Sequence, residues 1–362
     1  MFVSHLSLKD FRSYENLELS LKAGQNIFIG ENGEGKTNII EALMYLALLS
    51  SHRISNDQPL IKLGSERAYI RAKIESDERT TLVELEINNG KANRAKVNQN
   101  PVRSQKELLG LVKSVCFSPE DLDLVRGDPS ERRSFLDQLL IQQSPRLAGV
   151  ISDYERALKQ RNSLLKSRAP ESSLRSWSEH LATFGGELIA GRIKLINQIE
   201  PLFQIAYKNL SAKKLAKLGY KSSIPAPSSE KEVNKEVMLK VIEEVKSQEI
   251  ERGISLVGPH RDDLILNLGD HPVKGYASHG ESWSIALALR LASYQLFINE
   301  GAKPILILDD VFSELDEGRR EKLLEIADSA EQTFITVAVE NDLPKAIQGA
   351  RFKVEMGKVV TL

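Results

Sequence analysis

Near the N-terminus the hydrophobic residues fall at every second position, Leu6 and Leu8, then Leu17, Leu19 and Leu21, which is the spacing of half-buried strands. Residues 26–29 form a short apolar strand that runs straight into Gly30. The period then lengthens: Ile39, Ile40, Leu43, Leu46, Ala47 and Leu49 recur as on one side of a helix. Further strands are predicted over 68–74, 81–87 and 95–98, with Asn89-Gly90 as a hairpin turn. From about 130 to 209 strand signals vanish, and helices are predicted over 131–143, 152–166 and 174–206. The stretch Ser222-Ser223-Ile224-Pro225-Ala226-Pro227-Ser228-Ser229 reads as a loop, 230–252 as a charged helix, and strand character is expected again from Ile254. No internal repeat is evident. The pattern predicts an α/β protein in three segments: 1–125 as the first part of a β-containing domain, 126–252 as a helical insertion, and 253–362 as the rest of the first domain.

Composition narrows the class. The 362 residues are 41% apolar and 27% charged, with 49 Lys+Arg against 50 Asp+Glu, so a disordered chain is excluded and about two domains are expected. One cysteine, Cys116, leaves no internal disulfide framework. No apolar run approaches the ~20 residues of a membrane span, and Lys9, Asp10 and Arg12 interrupt any secretory leader. A cytoplasmic protein is expected. The net charge of −1 hides three basic clusters: Lys91, Arg94, Lys96, Arg103 and Lys106; Arg156, Lys159, Arg161, Lys166 and Arg168; and Lys213, Lys214, Lys217 and Lys221. Each is either solvated surface or part of a phosphate-facing one. Lys91, Arg94, Lys96 and Arg161 are the candidate contacts of such a surface.

The most specific chemistry lies at Gly30-Glu31-Asn32-Gly33-Glu34-Gly35-Lys36-Thr37, which matches the P-loop pattern between a strand and a helix. Its glycines let successive N–H groups face phosphates, Lys36 would neutralise the β- and γ-phosphates, and the Thr37 hydroxyl would ligate Mg²⁺. Far downstream, Pro304-Ile305-Leu306-Ile307-Leu308-Asp309-Asp310 is an apolar run ending in two carboxylates. It reads either as a Walker B strand or as a strand followed by a helix cap. In the Walker reading Asp309 holds Mg²⁺ and Asp310 is the general base. Between these lies Ala277-Ser278-His279-Gly280-Glu281-Ser282-Trp283, heading an amphipathic helix. Ser278 with Glu281 forms a capping box, and a capped helix bearing Ser278 and Gly280 also suits a γ-phosphate sensor. Ser313-Glu314-Leu315-Asp316 follows the acidic strand.

P-loop, Ser-x-Gly helix, Walker B and Ser-Glu-Leu-Asp turn, in that order, resemble an ABC-type ATPase head. The opening Leu6-Ser7-Leu8-Lys9-Asp10-Phe11-Arg12-Ser13-Tyr14 is similar to that of the SMC-like branch. More narrowly, Phe117-Ser118-Pro119-Glu120-Asp121-Leu122, Arg132-Arg133-Ser134-Phe135-Leu136-Asp137, Arg161-Asn162-Ser163-Leu164-Leu165-Lys166 and Gly258-Pro259-His260-Arg261-Asp262-Asp263-Leu264 resemble the bacterial RecF family of recombination mediators. So does Leu308-Asp309-Asp310-Val311-Phe312-Ser313-Glu314-Leu315-Asp316.

The resemblance implies ATP and Mg²⁺ as cofactors and a head-to-tail dimer on ATP binding, with Ser278 and Gly280 completing the other copy's site. It also implies single-stranded, gapped or junction DNA as partner, with mediators of the RecO and RecR type, recombinase loading and the SOS response. This chain departs from the usual signature by carrying Glu281, Ser282 and Trp283, and no histidine follows the acidic strand, so that Glu340 or Asn341 takes that place. Slow hydrolysis is therefore expected. Arg12 is expected either near the nucleotide or in an ion pair. His260 and Arg261 are expected near DNA, near the dimer seam, or in a turn, and Trp177 and Trp283 in packing. A transporter ATPase subunit and a non-hydrolytic nucleotide-binding scaffold are the alternatives.

Overall fold

The computed structural model describes all residues except His52, Ser55, Asp77, Glu78, Ala212, Lys213, Lys345 and Ala346. By contacts the chain divides into two compact units, Met1–Asp121 with Leu289–Leu362, and Leu122–Ala288. The first unit opens with β1 (Phe2–Phe11), β2 (Tyr14–Ser20) and β3 (Gly24–Ile29), followed by helix α1 (Lys36–Leu48). Then come β4 (Arg67–Ser76), β5 (Arg79–Asn88), β6 (Arg94–Val97), β7 (Asn100–Pro101) and β8 (Ser114–Phe117). The alternation read from the sequence becomes an antiparallel sheet of order β2-β1-β4-β5-β6-β7. One of its faces buries Leu6, Leu8, Leu17, Leu19, Ile70, Ala72, Val83 and Leu85, because in a pleated strand every second side chain points to the same side.

The second unit begins with α2 (Leu122–Arg126), α3 (Pro129–Gln143), α4 (Leu147–Lys166) and the 40-residue α5 (Glu171–Leu210). It continues through β9 (Ala216–Lys221), α6 (Lys231–Arg252), β10 (Asp263–Leu268) and β11 (His271–Pro272) to α7 (His279–Asn299), within which the division between units falls. Strands β11-β10-β9 form a small antiparallel sheet. The strand expected from Ile254 begins only at Asp263. Residues 254–262 are a loop whose polar groups are met by side chains: Ser255 N donates to Asn162 Oδ1 at 2.7 Å and Leu256 N to Glu249 Oε1 at 2.6 Å. In the sequence, strand β9 shows only as part of a lysine cluster, because its alternation is short and its sequence is Ala-Lys-Leu-Gly-Tyr-Lys. Through this sheet, residues up to Ala288 count by contacts with the helical unit.

The chain then re-enters the first unit with β12 (Ile305–Asp309), α8 (Glu317–Ser329), β13 (Gln332–Val337), β14 (Ala350–Glu355) and β15 (Lys358–Thr361). These combine with earlier strands in a second sheet of order β15-β14-β3-β13-β12-β8. It is parallel except for the β14–β15 hairpin. Strand β12 is buried along its whole length, as expected of a strand in the interior of a parallel sheet. Strands from both ends of the chain thus alternate in one sheet, and this brings residue 30 beside residue 337, with Gly30 N donating to Val337 O at 3.2 Å.

Candidate nucleotide-binding site

The P-loop leaves the C-terminal end of β3, where ligands gather in open parallel sheets. Three glycines are needed there, for two reasons. A Cβ on Gly30 would lie 2.2 Å from Val354 O, so only glycine lets the chain pass this close to β14. Gly33 (φ 90°) and Gly35 (φ 114°) are in the left-handed region that favours glycine. Glu34 accepts a hydrogen bond from Met356 N, and its carbonyl accepts from Gly357 N at 3.3 Å, so the β14–β15 turn holds the loop from outside. Tyr14 Oη donates to Gly35 O at 3.1 Å and holds it from within.

Gly33, Gly35, Lys36, Thr37, Asp310, Ser313, Glu314 and Asp342 line a cleft of about 510 Å³. Lys36 is 3% exposed; its ammonium donates to Gly30 O at 2.6 Å and Glu31 O at 3.2 Å and lies 3.9 Å from Asp310 Oδ2. The first turn of α1 has N–H groups without intrahelical acceptors. A glycine-floored curl, a buried ammonium and a helix N-terminus together match the needs of a polyphosphate. The Thr37 hydroxyl and the Asp309 and Asp310 carboxylates are hard oxygen donors of the kind Mg²⁺ takes when phosphates and water supply its remaining ligands.

Asp309 ends β12 and is paired in register with Thr336 of β13. Thr336 Oγ1 donates to Asp309 Oδ1 at 2.6 Å and accepts from Asp310 N at 2.9 Å, so one hydroxyl fixes both acids. Burial pushes the Asp309 carboxyl up to about 6, and the charges of Asp310 and Glu120 act in the same direction against Thr336 and Lys36. Asp310 has φ 49°, a left-handed conformation that is costly for a residue with a Cβ. Ser313 Oγ donates to Asp310 O at 3.1 Å, and Asp316 caps α8 through Arg319 N. No local pattern marks Thr336, one of two threonines in Gln332-Thr333-Phe334-Ile335-Thr336-Val337.

Arg12 takes the ion-pair alternative. Its Nε and Nη2 donate to both oxygens of Glu41 at 2.7 and 2.6 Å, and Glu41 lies fully buried in α1. In the 118–121 segment, Asp121 is buried and accepts from Arg290 Nε and Nη2 at 2.9 and 2.7 Å. Beyond β13, Glu340 pairs with Arg351 while Asp342 lines the cleft.

In the second unit Ser278 is exposed at the start of α7. Its N donates to Glu281 Oε2 at 2.9 Å and its Oγ accepts from Glu281 N at 3.2 Å, a complete capping box. Lys214 Nζ lies 2.8 Å from Glu281 Oε1, and that bond, before the Ser278 ones, holds the carboxyl down to about 2. Gly280 is partly exposed beside it. Trp283 is packed at 3% exposure, as expected, and Trp177 is intermediate.

Among the candidate DNA contacts, Lys91, Arg94 and Lys96 are exposed on and before β6, where Lys96 pairs with Glu84 at 2.9 Å. Arg161 requires a correction. It is 0% exposed, and its guanidinium is spent on Ser178 Oγ, Ser255 Oγ and the fully buried Glu249. It therefore presents no charge to a polyanion; helical periodicity placed it on the inward face of α4. His260 takes its place in a turn: its Nδ1 is bonded to Tyr154 Oη at 2.5 Å. Lys213 lies outside the described residues.

The family description "RecF/RecN/SMC N terminal domain" matches residues 2–359. A DNA replication and repair protein RecF of Streptomyces avermitilis is 52% identical over 371 residues, covering 99% of both chains. Its counterpart in Kineococcus radiotolerans is 50% identical and covers 96% of both. The chain belongs to the RecF family. A solved structure of the recombination mediator protein RecF-ATPrS in the RecFOR pathway matches all of this RecF-family chain and 98% of its own, with TM-score 0.92 and 28% identity. An Smc head domain from Pyrococcus furiosus aligns with TM-score 0.57 at 17% identity, which speaks for the ABC-type head fold alone. The transporter-subunit alternative is not favoured by these relatives. Among the described residues of this RecF-family chain, no helix is long and apolar enough to cross a membrane.

Proposed function

We propose that the chain is an ATP-dependent DNA-binding protein of recombinational repair and replication-fork maintenance, cytoplasmic, and acting as an ATP-gated clamp. The observation that carries this reading is the arrangement at the parallel-sheet end: the curl closed under Val354, the buried Lys36 ammonium, and two acids clamped by Thr336. Full-length similarity to RecF proteins, two solved structures of which are of RecF-ATP and RecF-ATPrS, supports it.

In this reading Gly30, Glu31, Asn32, Gly33, Glu34, Gly35, Lys36 and Thr37 wrap the triphosphate, and Lys36 turns from the loop carbonyls to the β- and γ-phosphates. Thr37 and Asp309 would hold Mg²⁺, which supplies Lewis-acid charge at the γ-phosphate when bound. Asp310 accepts a proton from the attacking water. The partner's Ser278 and Gly280 close over the γ-phosphate, so hydrolysis is slow until two copies meet and contact with DNA speeds it. Lys91, Arg94 and Lys96 face DNA, single-stranded, gapped or at a junction. Mediators of the RecO and RecR type are the partners in recombinase loading and the SOS response.

Sedimentation with ATP, ADP or no nucleotide, with and without gapped DNA, tests the reading. A dimer confined to ATP and lost in Ser278→Arg is expected, with Lys36→Ala binding neither ATP nor DNA stably. A monomer in every condition refutes the shared site. Charge reversal at Lys91, Arg94 and Lys96 is expected to weaken only the DNA step and flatten its salt dependence.

A further inference from the structure

The third basic cluster and the signature helix meet at one contact. Lys214 follows α5 and reaches Glu281 Oε1 at 2.8 Å, while Glu281 also caps α7 on Ser278 N. The side chains are 53% and 27% exposed, so the pair is a wet surface ion pair, weak because water competes for both groups. It is too weak to be a structural clamp, and a phosphate can exchange for it at little cost.

The neighbours of Lys214 favour such an exchange. On β9 the buried Ala216 and Leu218 alternate with the exposed Lys217 and Lys221, so both lysines share one face of this edge strand. Asp263, opposite Lys221 on β10, is already held by Arg132 at 2.8 Å. Among the described residues neither Lys217 nor Lys221 has an ion-pair partner. Strand rise is about 3.3 Å per residue, so residues 217 and 221 stand about 13 Å apart, a span that covers several phosphates of a nucleic-acid strand spaced about 3.4 Å along the axis.

We propose that β9 is a strip that binds nucleic-acid phosphates, and that Lys214 is shared between it and the signature helix. Without DNA, Lys214 holds Glu281; a phosphate lying along Lys217 and Lys221 takes Lys214 away. Glu281 then stands unneutralised at the end of the helix that bears Ser278 and Gly280. Contact with DNA is thus reported to the element assigned above to the partner's γ-phosphate. This rests on the DNA-clamp reading and adds the residues through which DNA addresses ATP. It also gives a reason for a carboxylate at 281: an amide would cap α7 equally well but would not compete for the lysine.

The test is anisotropy of a labelled gapped duplex between 50 and 200 mM KCl, with wild type, Glu281→Gln, Lys214→Ala and the double variant, all as full chains. Glu281→Gln frees Lys214 and is expected to bind DNA about threefold tighter, with a steeper salt slope. Lys214→Ala is expected to bind more weakly, its log–log slope shallower by about 0.9, the value of one phosphate contact. The double variant is expected to match Lys214→Ala, because the carboxylate acts only through that lysine. Wild-type affinity and slope in Glu281→Gln would overturn the proposal. So would an equal gain from Glu281→Gln with and without Lys214, which would mark a general charge effect. A wild-type chain that binds no DNA at any salt would overturn the clamp reading itself, and this with it.

Discussion

Removing the guanidinium of Arg161 separates a DNA-binding role from a structural one. Arg161 and Glu249 are both 0% exposed, and Arg161 donates to Ser178 Oγ at 2.9 Å, Ser255 Oγ at 2.7 Å and Glu249 Oε2. In Arg161→Met the aliphatic volume is roughly kept, while Glu249 retains the 2.6 Å bond from Leu256 N and loses its counter-charge. Breaking one side of a buried ion pair costs about 3–5 kcal/mol, because the remaining charge stays desolvated. For a unit of 150–250 residues each kcal/mol moves the midpoint by about 2–4 °C, so the transition of the helical unit falls by about 6–20 °C. Calorimetry on Arg161→Met measures this directly. The double variant Arg161→Met, Glu249→Leu removes both charges and is expected to recover much of the loss, since well-packed apolar groups replace buried pairs at little cost. At 20 °C, where the single variant is still folded, its affinity for DNA should stay within about twofold of wild type. A midpoint within 2 °C of wild type together with a large loss of DNA affinity would refute the buried-pair argument.

His260 supplies a pH test. Burial, ahead of the charges of Arg261, Arg133 and Arg161, pushes its imidazole down to about 4. Its stabilising contribution is therefore complete above the unfolded value of about 6.5 and is lost as pH falls from there towards 4, by about 2–3 kcal/mol. Urea unfolding at pH 7.5 and 5 should show the helical unit weakening in wild type and much less in His260→Gln; equal slopes would contradict the buried neutral ring. Gly30→Ala places a Cβ 2.2 Å from Val354 O, and titration with a fluorescent ATP analogue should show at least a tenfold loss of affinity; unchanged binding would mean the loop gives way easily. Thr336→Val removes the donor to Asp309 at 2.6 Å and the acceptor of Asp310 N at 2.9 Å. A hydrogen bond to a charged group is worth about 1.5–3 kcal/mol, so turnover should fall about 10–100-fold with ATP affinity within about threefold. Unchanged turnover would release Thr336 from its positioning role.

Local patterns were sufficient for much of this protein. Strand alternation, the apolar β12 and the helical period after Thr37 report which side of an element is buried, and burial is what generates them. The P-loop was legible because its chemistry is contiguous: glycines, ammonium and hydroxyl act through the backbone that links them. Contacts distant in sequence were not legible. Thr336 meets Asp309 only because β12 and β13 are neighbours in register, and Glu41 meets Arg12 only because α1 packs near the β1–β2 turn. Arg161 misleads in the sequence for the same reason: a charge in a basic cluster looks solvent-facing until the packing of α4 with α5 and α6 turns it inward. β9 shows the limit of periodicity, since six residues with two lysines carry too few apolar positions to declare a strand. Propensity and motif chemistry belong to the chain as written; the partners of a buried charge or hydroxyl belong to the fold, because burial makes an unpaired polar group costly and only the assembled neighbours can meet it.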